Sequence, residues 1–244
     1  MHKKNCTINY EASAGGMEVI GSVNIFKRSI EKHNLRYTKY LGDGDSKSFP
    51  AVQNIYEGTD VEKQECIGHV QKGVGSRLRT LKKNTKGIGG RGKLTDNMID
   101  KLQNYYGIAL RANVGDLKAM KKAIYASYFH VASSAKDNWH DHCPDGSTSW
   151  CQYKKDKAKG TQLYKPGKGL PLDIVYKLKP IFQDLSSDDL LSKCLHGKTQ
   201  NANESFNGMV WERIPKTDYV GLNLFCFGVY NAVNHFNIGW KHQP

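Results

Sequence analysis

The sequence predicts an α/β protein, a partial core of strands and helices interrupted by a mostly α-helical insertion. Three observations lead there. Arg36-Tyr37-Thr38-Lys39-Tyr40-Leu41 alternates and is aromatic, as a half-buried strand does, and Glu62 to Cys66 reads as a second short strand. Apolar residues recur at helical spacing before the first strand and through most of the chain after residue 86. Helices and strands do not alternate regularly, so a doubly wound sheet is not expected. The organisation read from these patterns is a partial core over residues 1–85, a helical insertion with basic and Cys/His-rich loops over 86–198, and a final helix with a tail returning to the core over 199–244.

In chain order, Met17, Ile20, Val23, Phe26 and Ile30 mark a helix that ends near His33-Asn34. The strand at Arg36–Leu41 runs into the polar turn Gly42-Asp43-Gly44-Asp45-Ser46-Lys47, and a short helix over about 48–56 follows. After the second strand, Val70, Val74, Leu78 and Leu81 define an amphipathic helix with a basic outer face. Lys86 to Lys93 is a glycine-rich basic connector without phosphate-loop spacing. Thr95 can cap a helix carrying Met98, Leu102, Tyr105 and Tyr106; Asp116 can cap another carrying Leu117, Met120, Ile124, Tyr128 and Val131. A Cys/His/Trp-rich loop then spans 138–151, with a basic linker through Gly169. Pro171 suits the first turn of a helix that Pro180 should kink or end. Ser186 with Asp189 resembles a capping box, and the last helix should start near Asn203. The tail from Val220 to Gly239 is apolar and aromatic and should pack back on the core.

Composition narrows the partners. The formal net charge is +13 and the basic residues are clustered, one group running from Lys72 through Arg77, Arg79, Lys82, Lys83, Lys86 and Arg91 to Lys93 with no acid among them. A second group holds Lys154, Lys155, Lys157, Lys159, Lys165 and Lys168. Such faces attract polyanions, nucleic acid first among them, and Lys72, Arg77, Arg79, Lys82, Lys83, Arg91 and Lys93 are the candidate DNA contacts. No apolar run approaches the ~18 residues a membrane span needs, and Met1 to Cys6 leads into no secretion-signal core. Neither a membrane nor a small-molecule substrate is expected. The six cysteines are widely spread, several beside a histidine, which suits thiols or metal ligands better than disulfides.

Four groups of residues could carry chemistry. Asp43, with Asp45 as its alternative, follows a strand, where a carboxylate can hold Mg²⁺ in the crevice beyond a sheet; a plain surface turn is the competing picture. Glu204 falls in the first turn of a helix, where the dipole favours an ionised carboxylate; it serves either as a metal ligand or as a helix-capping aid. Cys66 and His69, with Cys194 and His196, offer a Cys₂His₂ set for Zn²⁺, or else a buried thiol and a hydrogen-bonded ring. His140, His142, Cys143 and Cys151 offer a second zinc loop whose spacing follows no standard finger; an aromatic-stabilised loop between Trp139 and Trp150 competes with it.

In combination the motifs resemble a family. Tyr40-Leu41-Gly42-Asp43-Gly44-Asp45-Ser46-Lys47, then Glu65-Cys66-Ile67-Gly68-His69-Val70-Gln71-Lys72, then His196-Gly197-Lys198-Thr199-Gln200-Asn201 and Asn203-Glu204-Ser205-Phe206-Asn207-Gly208-Met209 look like Mutator-like transposases over nearly the whole chain. The resemblance implies an RNase H-like fold with an Asp, Asp, Glu catalytic set binding Mg²⁺, a DNA partner and a nuclear location; a homodimer is left open. By position Asp43 would be the second Asp and Glu204 the Glu, and Cys66–His69 fits the family's Cys-x-x-His element. The family's first Asp sits on an early strand that precedes the part seen in this chain. The expectation is therefore an N-terminally truncated copy, its first β-strands missing and its cleavage impaired as this chain alone, the alternative being a catalytically inactive DNA-binding remnant.

Overall fold

Helix-period apolar patterning dominates the architecture. The computed structural model describes residues 10–42 and 47–239. Its elements run α1 (Ala14–His33), β1 (Lys39–Gly42), α2 (Ser48–Val52), β2 (Glu62–Glu65), α3 (Ile67–Asn84), α4 (Asp96–Ala112), α5 (Leu117–His130), α6 (Gln152–Lys159), α7 (Leu172–Leu185), α8 (Asp188–Ser192), α9 (Asn201–Arg213) and α10 (Leu222–Ile238). The expected α/β balance is corrected accordingly: the described residues are mostly helical, with a single two-stranded sheet. β1 and β2 pair in parallel, Lys39 opposite Glu62 through Gly42 opposite Glu65, and each is only four residues long.

The chain divides into two compact units. The first draws on the described residues of Met1–Tyr37, Lys47–Val61 and Thr199–Pro244, the second on those of Thr38–Ser46 and Glu62–Lys198. In the first, Ser13 caps α1 by accepting from Gly16 N, and α1 stops at Asn34, whose φ of 49° is left-handed. Phe26 meets Tyr37 edge-on and stacks on Tyr56, and the Tyr56 hydroxyl donates to Phe26 O at 3.0 Å. The aromatic tail is α10, packed on α9 of its own unit: Phe206 meets Phe236 edge-on and Arg213 Nε donates to Asn231 Oδ1 at 2.6 Å.

The second unit is built around α4. Ile99, Leu102, Tyr106 and Leu110 on α4 are sealed by Val74 and Leu78 of α3, Met120, Ile124 and Tyr128 of α5, and Ile174, Leu178 and Phe182 of α7. The caps expected at Thr95 and Asp116 form, accepting from Met98 N and Ala119 N. Two buried hydroxyls tie neighbours to α7: Tyr106 donates to Leu185 O and Tyr128 to Val175 O, both at 2.7 Å. α3 packs on α4 and α7, so contacts run across residue 85.

Several local expectations are revised. The stretch after Cys151 is not all linker, because residues 152–159 form α6. Pro180 neither ends nor bounds α7: it faces solvent, while Ile174, Val175 and Leu178 before it and Phe182 and Leu185 after it anchor both halves of the helix in the core. Ser187 rather than Ser186 holds the N-cap position of α8, without a side-chain capping bond, and the Ser186 hydroxyl donates to Tyr125 Oη at 3.0 Å. α9 begins at Asn201, putting Asn203 inside its first turn. The glycine-rich connector is pinned rather than free, since Ile88 is buried in the core and Leu94 N donates to Ile88 O.

Replacing Tyr106 with Phe leaves the buried Leu185 carbonyl without its donor and should cost about 1–3 kcal/mol. A urea unfolding midpoint unchanged in Tyr106→Phe would sink that account.

Candidate functional site

The carboxylates come first. β1 ends at Gly42, whose carbonyl accepts from Cys66 N at 3.0 Å, and Asp43 and Asp45 follow it in sequence, outside the described residues. Glu204 lies exposed in the first turn of α9, which belongs to the other unit.

The Cys66, His69, Cys194, His196 set lies where β2 enters α3 and where the chain leaves α8. Cys66 and Cys194 are buried, and burial pushes the Cys194 thiol up to about 12, with Glu65 and Cys66 adding to it. His196 is engaged on both sides of its ring: Nε2 lies 3.1 Å from Glu65 O, and Nδ1 accepts from Lys198 N at 2.7 Å. The structure thus uses that ring to hold backbone, and the four ligand atoms are not gathered as a group among the described residues.

The later loop does gather. His130, His140, Cys143 and Cys151 place one ligand atom each within 4.8 Å of the others. Cys143 Sγ lies 3.5 Å from His130 Nδ1 and 3.9 Å from His140 Nδ1, and Cys151 Sγ lies 3.4 Å from His140 Nδ1. Three of the four candidates named from sequence are therefore present, and the fourth is replaced. His142 turns away to stack on Phe129, with centroids 4.8 Å apart, and lines an apolar cleft of about 340 Å³ with Tyr105, Ile108, Ala123 and Trp150. His130, the residue sequence reasoning missed, ends α5. Its signal is the interval His130-x₉-His140-x₂-Cys143-x₇-Cys151, which sets it one residue before Val131, inside the helix-period apolar pattern rather than in the Cys/His-rich loop.

Local folding explains the convergence. The α5 pattern buries Ile124 and Tyr128 and so turns His130 toward the loop, where it meets Trp150 edge-on at 4.9 Å. His140 N donates to Asn138 Oδ1, and Cys143 N to His140 O, a tight turn that brings both side chains inward. Cys151 is the N-cap residue of α6. The His140 ring stacks on Tyr153 at 4.6 Å, and its Nε2 lies 3.0 Å from the Tyr164 hydroxyl. Burial lowers His130 to about 4, with His140 and Lys101 contributing, and also lowers His140, favouring the neutral ring in each. Burial pushes the Cys143 thiol up to about 12, with Cys151 adding to it; a thiolate there needs a cation beside it.

Asp156 supports this shell from below. Its buried carboxylate accepts from Thr161 Oγ1 and Gln152 Nε2, each at 2.8 Å, and from Tyr164 N. Burial alone would raise its pKa, but these hydrogen bonds together hold it below the usual carboxylate range.

The candidate DNA contacts lie on α3 and the connector after it, and several are already paired. Arg77 meets Asp184 at 3.5 Å, Arg79 meets Asp100 at 2.5 Å and Lys82 meets Asp96 at 3.0 Å, while Lys93 Nζ donates to Gly87 O. Lys72, Lys83 and Arg91 are exposed. Exposed pairs of this kind are worth only about 0.2–1 kcal/mol, so exchanging a carboxylate for a phosphate is cheap. No described helix is long and apolar enough to cross a membrane.

Comparison with known proteins supplies one match. The family model described as Mutator-like transposase matches residues 1–151, a span that includes the Asp43 turn, Cys66, His69 and all of His130, His140, Cys143 and Cys151, and that stops before Glu204. Neither the curated proteins nor the solved structures give a match.

Because the folded pKa of Asp156 is depressed, its contribution to stability is full above the ordinary carboxylate pKa of about 3.9 and is lost as pH falls through the folded value. Asp156→Asn should lower the urea midpoint at pH 7 and flatten its fall toward pH 3. Parallel pH profiles for the two proteins would refute the role assigned to this carboxylate.

Proposed function

The chain belongs to the Mutator-like transposase family, and we propose that it acts in DNA transposition, binding DNA and presenting Asp43 and Glu204 as two carboxylates of a Mg²⁺-dependent strand-transfer centre. The family match over residues 1–151 carries this reading. In two-metal chemistry, carboxylates hold Mg²⁺ against both the attacking and the leaving oxygen of an in-line displacement at phosphorus. Water, then a DNA 3′-hydroxyl, is the nucleophile. Asp43 suits a ligand because it follows immediately on β1 in sequence, with Asp45 two residues on as its alternative. Glu204 suits one because it is exposed in the N-terminal turn of α9, where the helix dipole is favourable to negative charge. An RNase H-like arrangement of these parts, and work in the nucleus, belong to the same proposal.

A second reading is favoured by the charge. The net charge of +13, with Lys83, Arg91 and the lysines from 155 to 168 exposed or half-exposed, suits a protein that holds DNA without cutting it. The two readings share the binding step and part at the carboxylates.

Binding to a random-sequence duplex should weaken linearly in log affinity against log salt, and Lys83→Ala with Arg91→Ala should reduce that slope by about two. Affinity indifferent to salt would remove the DNA-binding reading. With Mg²⁺, nicking of supercoiled DNA should fall at least about a hundredfold in Glu204→Gln while binding is kept. Nicking retained in Glu204→Gln would take Glu204 out of the centre; binding without nicking in either protein would select the second reading.

A further inference from the structure

We infer that His130, His140, Cys143 and Cys151 form a closed structural Zn²⁺ site that folds the excursion between α5 and α7. The inference is independent of the strand-transfer proposal, since none of these residues is a carboxylate of that centre.

Geometry is the first support. With Zn–S at about 2.3 Å and Zn–N at about 2.0–2.1 Å, neighbouring sulfur and nitrogen ligands on a tetrahedron stand about 3.6 Å apart. Three of the four sulfur–nitrogen separations in the cluster are 3.4, 3.5 and 3.9 Å, and all four ligand atoms lie within 4.8 Å of one another. Both rings turn Nδ1 toward the sulfurs, so the same atom type serves in each. Ordinary packing of two thiols and two imidazoles does not require all four ligand atoms to converge on one point.

The ligand set selects the metal. Two thiolates and two imidazoles in a tetrahedron suit Zn²⁺; Mg²⁺ and Ca²⁺ prefer oxygen, and iron–sulfur clusters take mostly thiolates. Charge also balances: Zn²⁺ plus two thiols and two neutral imidazoles gives a neutral tetrathedral centre and two released protons. A neutral centre is what this buried position tolerates, with His140, Cys143 and Cys151 each at most 2% exposed. Four protein ligands leave no open position, which marks a structural site rather than a catalytic one.

The surroundings provide the outer shell such sites have. The His140 nitrogen not facing the sulfurs lies 3.0 Å from the Tyr164 hydroxyl, which can accept its N–H when Nδ1 holds the ion. Tyr153 and Trp150 cover the two rings. Tyr164 is itself held by Asp156 through its backbone N.

Finally, the segment needs a staple. Residues 131–151 contain no helix or strand, an unusual length of irregular chain inside a compact unit. The four ligands sit at its start, middle and end: the last residue of α5, the turn at 140–143, and the N-cap of α6. One ion therefore links α5, the loop and α6.

The test uses the full chain purified under reducing conditions. Metal analysis should show that Cys151→Ser and His130→Ala each lose one equivalent of zinc, whereas His142→Ala keeps it. Replacement by Co²⁺ should give the intense visible bands of a tetrahedral ion and charge-transfer absorption corresponding to two thiolates. This spectrum is read on the wild-type chain, so misfolding of a variant does not blunt the test. A zinc chelator should speed tryptic cleavage at Lys136 and the lysines at 154–168 by loosening the backbone around them. Full zinc content in His130→Ala, a cobalt spectrum without tetrahedral bands, or a Cys143–Cys151 disulfide in the reduced preparation would each overturn the assignment.

Discussion

Leu170 N donates to Val131 O at 2.7 Å, and this one backbone bond closes the whole excursion from the end of α5 to the start of α7. Gly169 makes the closure sterically feasible. Its φ is +67°, and a Cβ there would stand 2.5 Å from Ala132 O and 2.8 Å from Ser133 O, so the return strand lies flush on the departing one. Where the excursion closes, α7 begins, and α7 supplies Ile174, Leu178 and Phe182 to the core and the carbonyls that Tyr106 and Tyr128 bind. The hydrophobic core of the larger unit thus depends on a loop whose own interior is polar, sulfur-rich and aromatic.

That loop has two layers of support of different chemistry. The inner layer is the His130, His140, Cys143, Cys151 cluster, where burial disfavours the charged forms of His130, His140 and Cys143. The outer layer is Asp156, an ionised carboxylate satisfied by hydrogen bonds from Thr161, Gln152 and the Tyr164 backbone. Tyr164 joins the two, its hydroxyl on His140 and its backbone on Asp156. The lysines of α6 and the segment after it are carried on this hydrogen-bonded base. Lys154 is tied down by Asp145 at 2.8 Å, while Lys157, Lys159, Lys165 and Lys168 stay exposed.

Charge placement follows a similar economy around α3. Arg77, Arg79 and Lys82 face acids on α7 and α4 in water-exposed pairs. These pairs orient the side chains while adding little to stability. A polyanion meeting this surface encounters positioned cations whose present partners are weakly held.

Much of the helical layout was determined by sequence alone, because a 3.6-residue apolar period and a capping side chain are local signals. α1, α3, α4 and α5 appear where Met17 to Ile30, Val70 to Leu81, and the caps Thr95 and Asp116 place them. The two short strands, the cysteine-rich loop and the basic clusters were legible for the same reason. What depended on distant contacts was not. Pro180 stays inside α7 because buried residues on both sides hold the helix through it. Residues 152–159 are a helix, although their lysines and low apolar content read as linker. His130 and His142 are both histidines within reach of Cys143 along the chain, and composition cannot choose between them. The tertiary structure chooses, because α5 is fixed in phase by Ile124 and Tyr128, which points His130 into the cluster and leaves His142 against Phe129. Sequence supplied the ligand types; only the packing of one helix decided which of them converge.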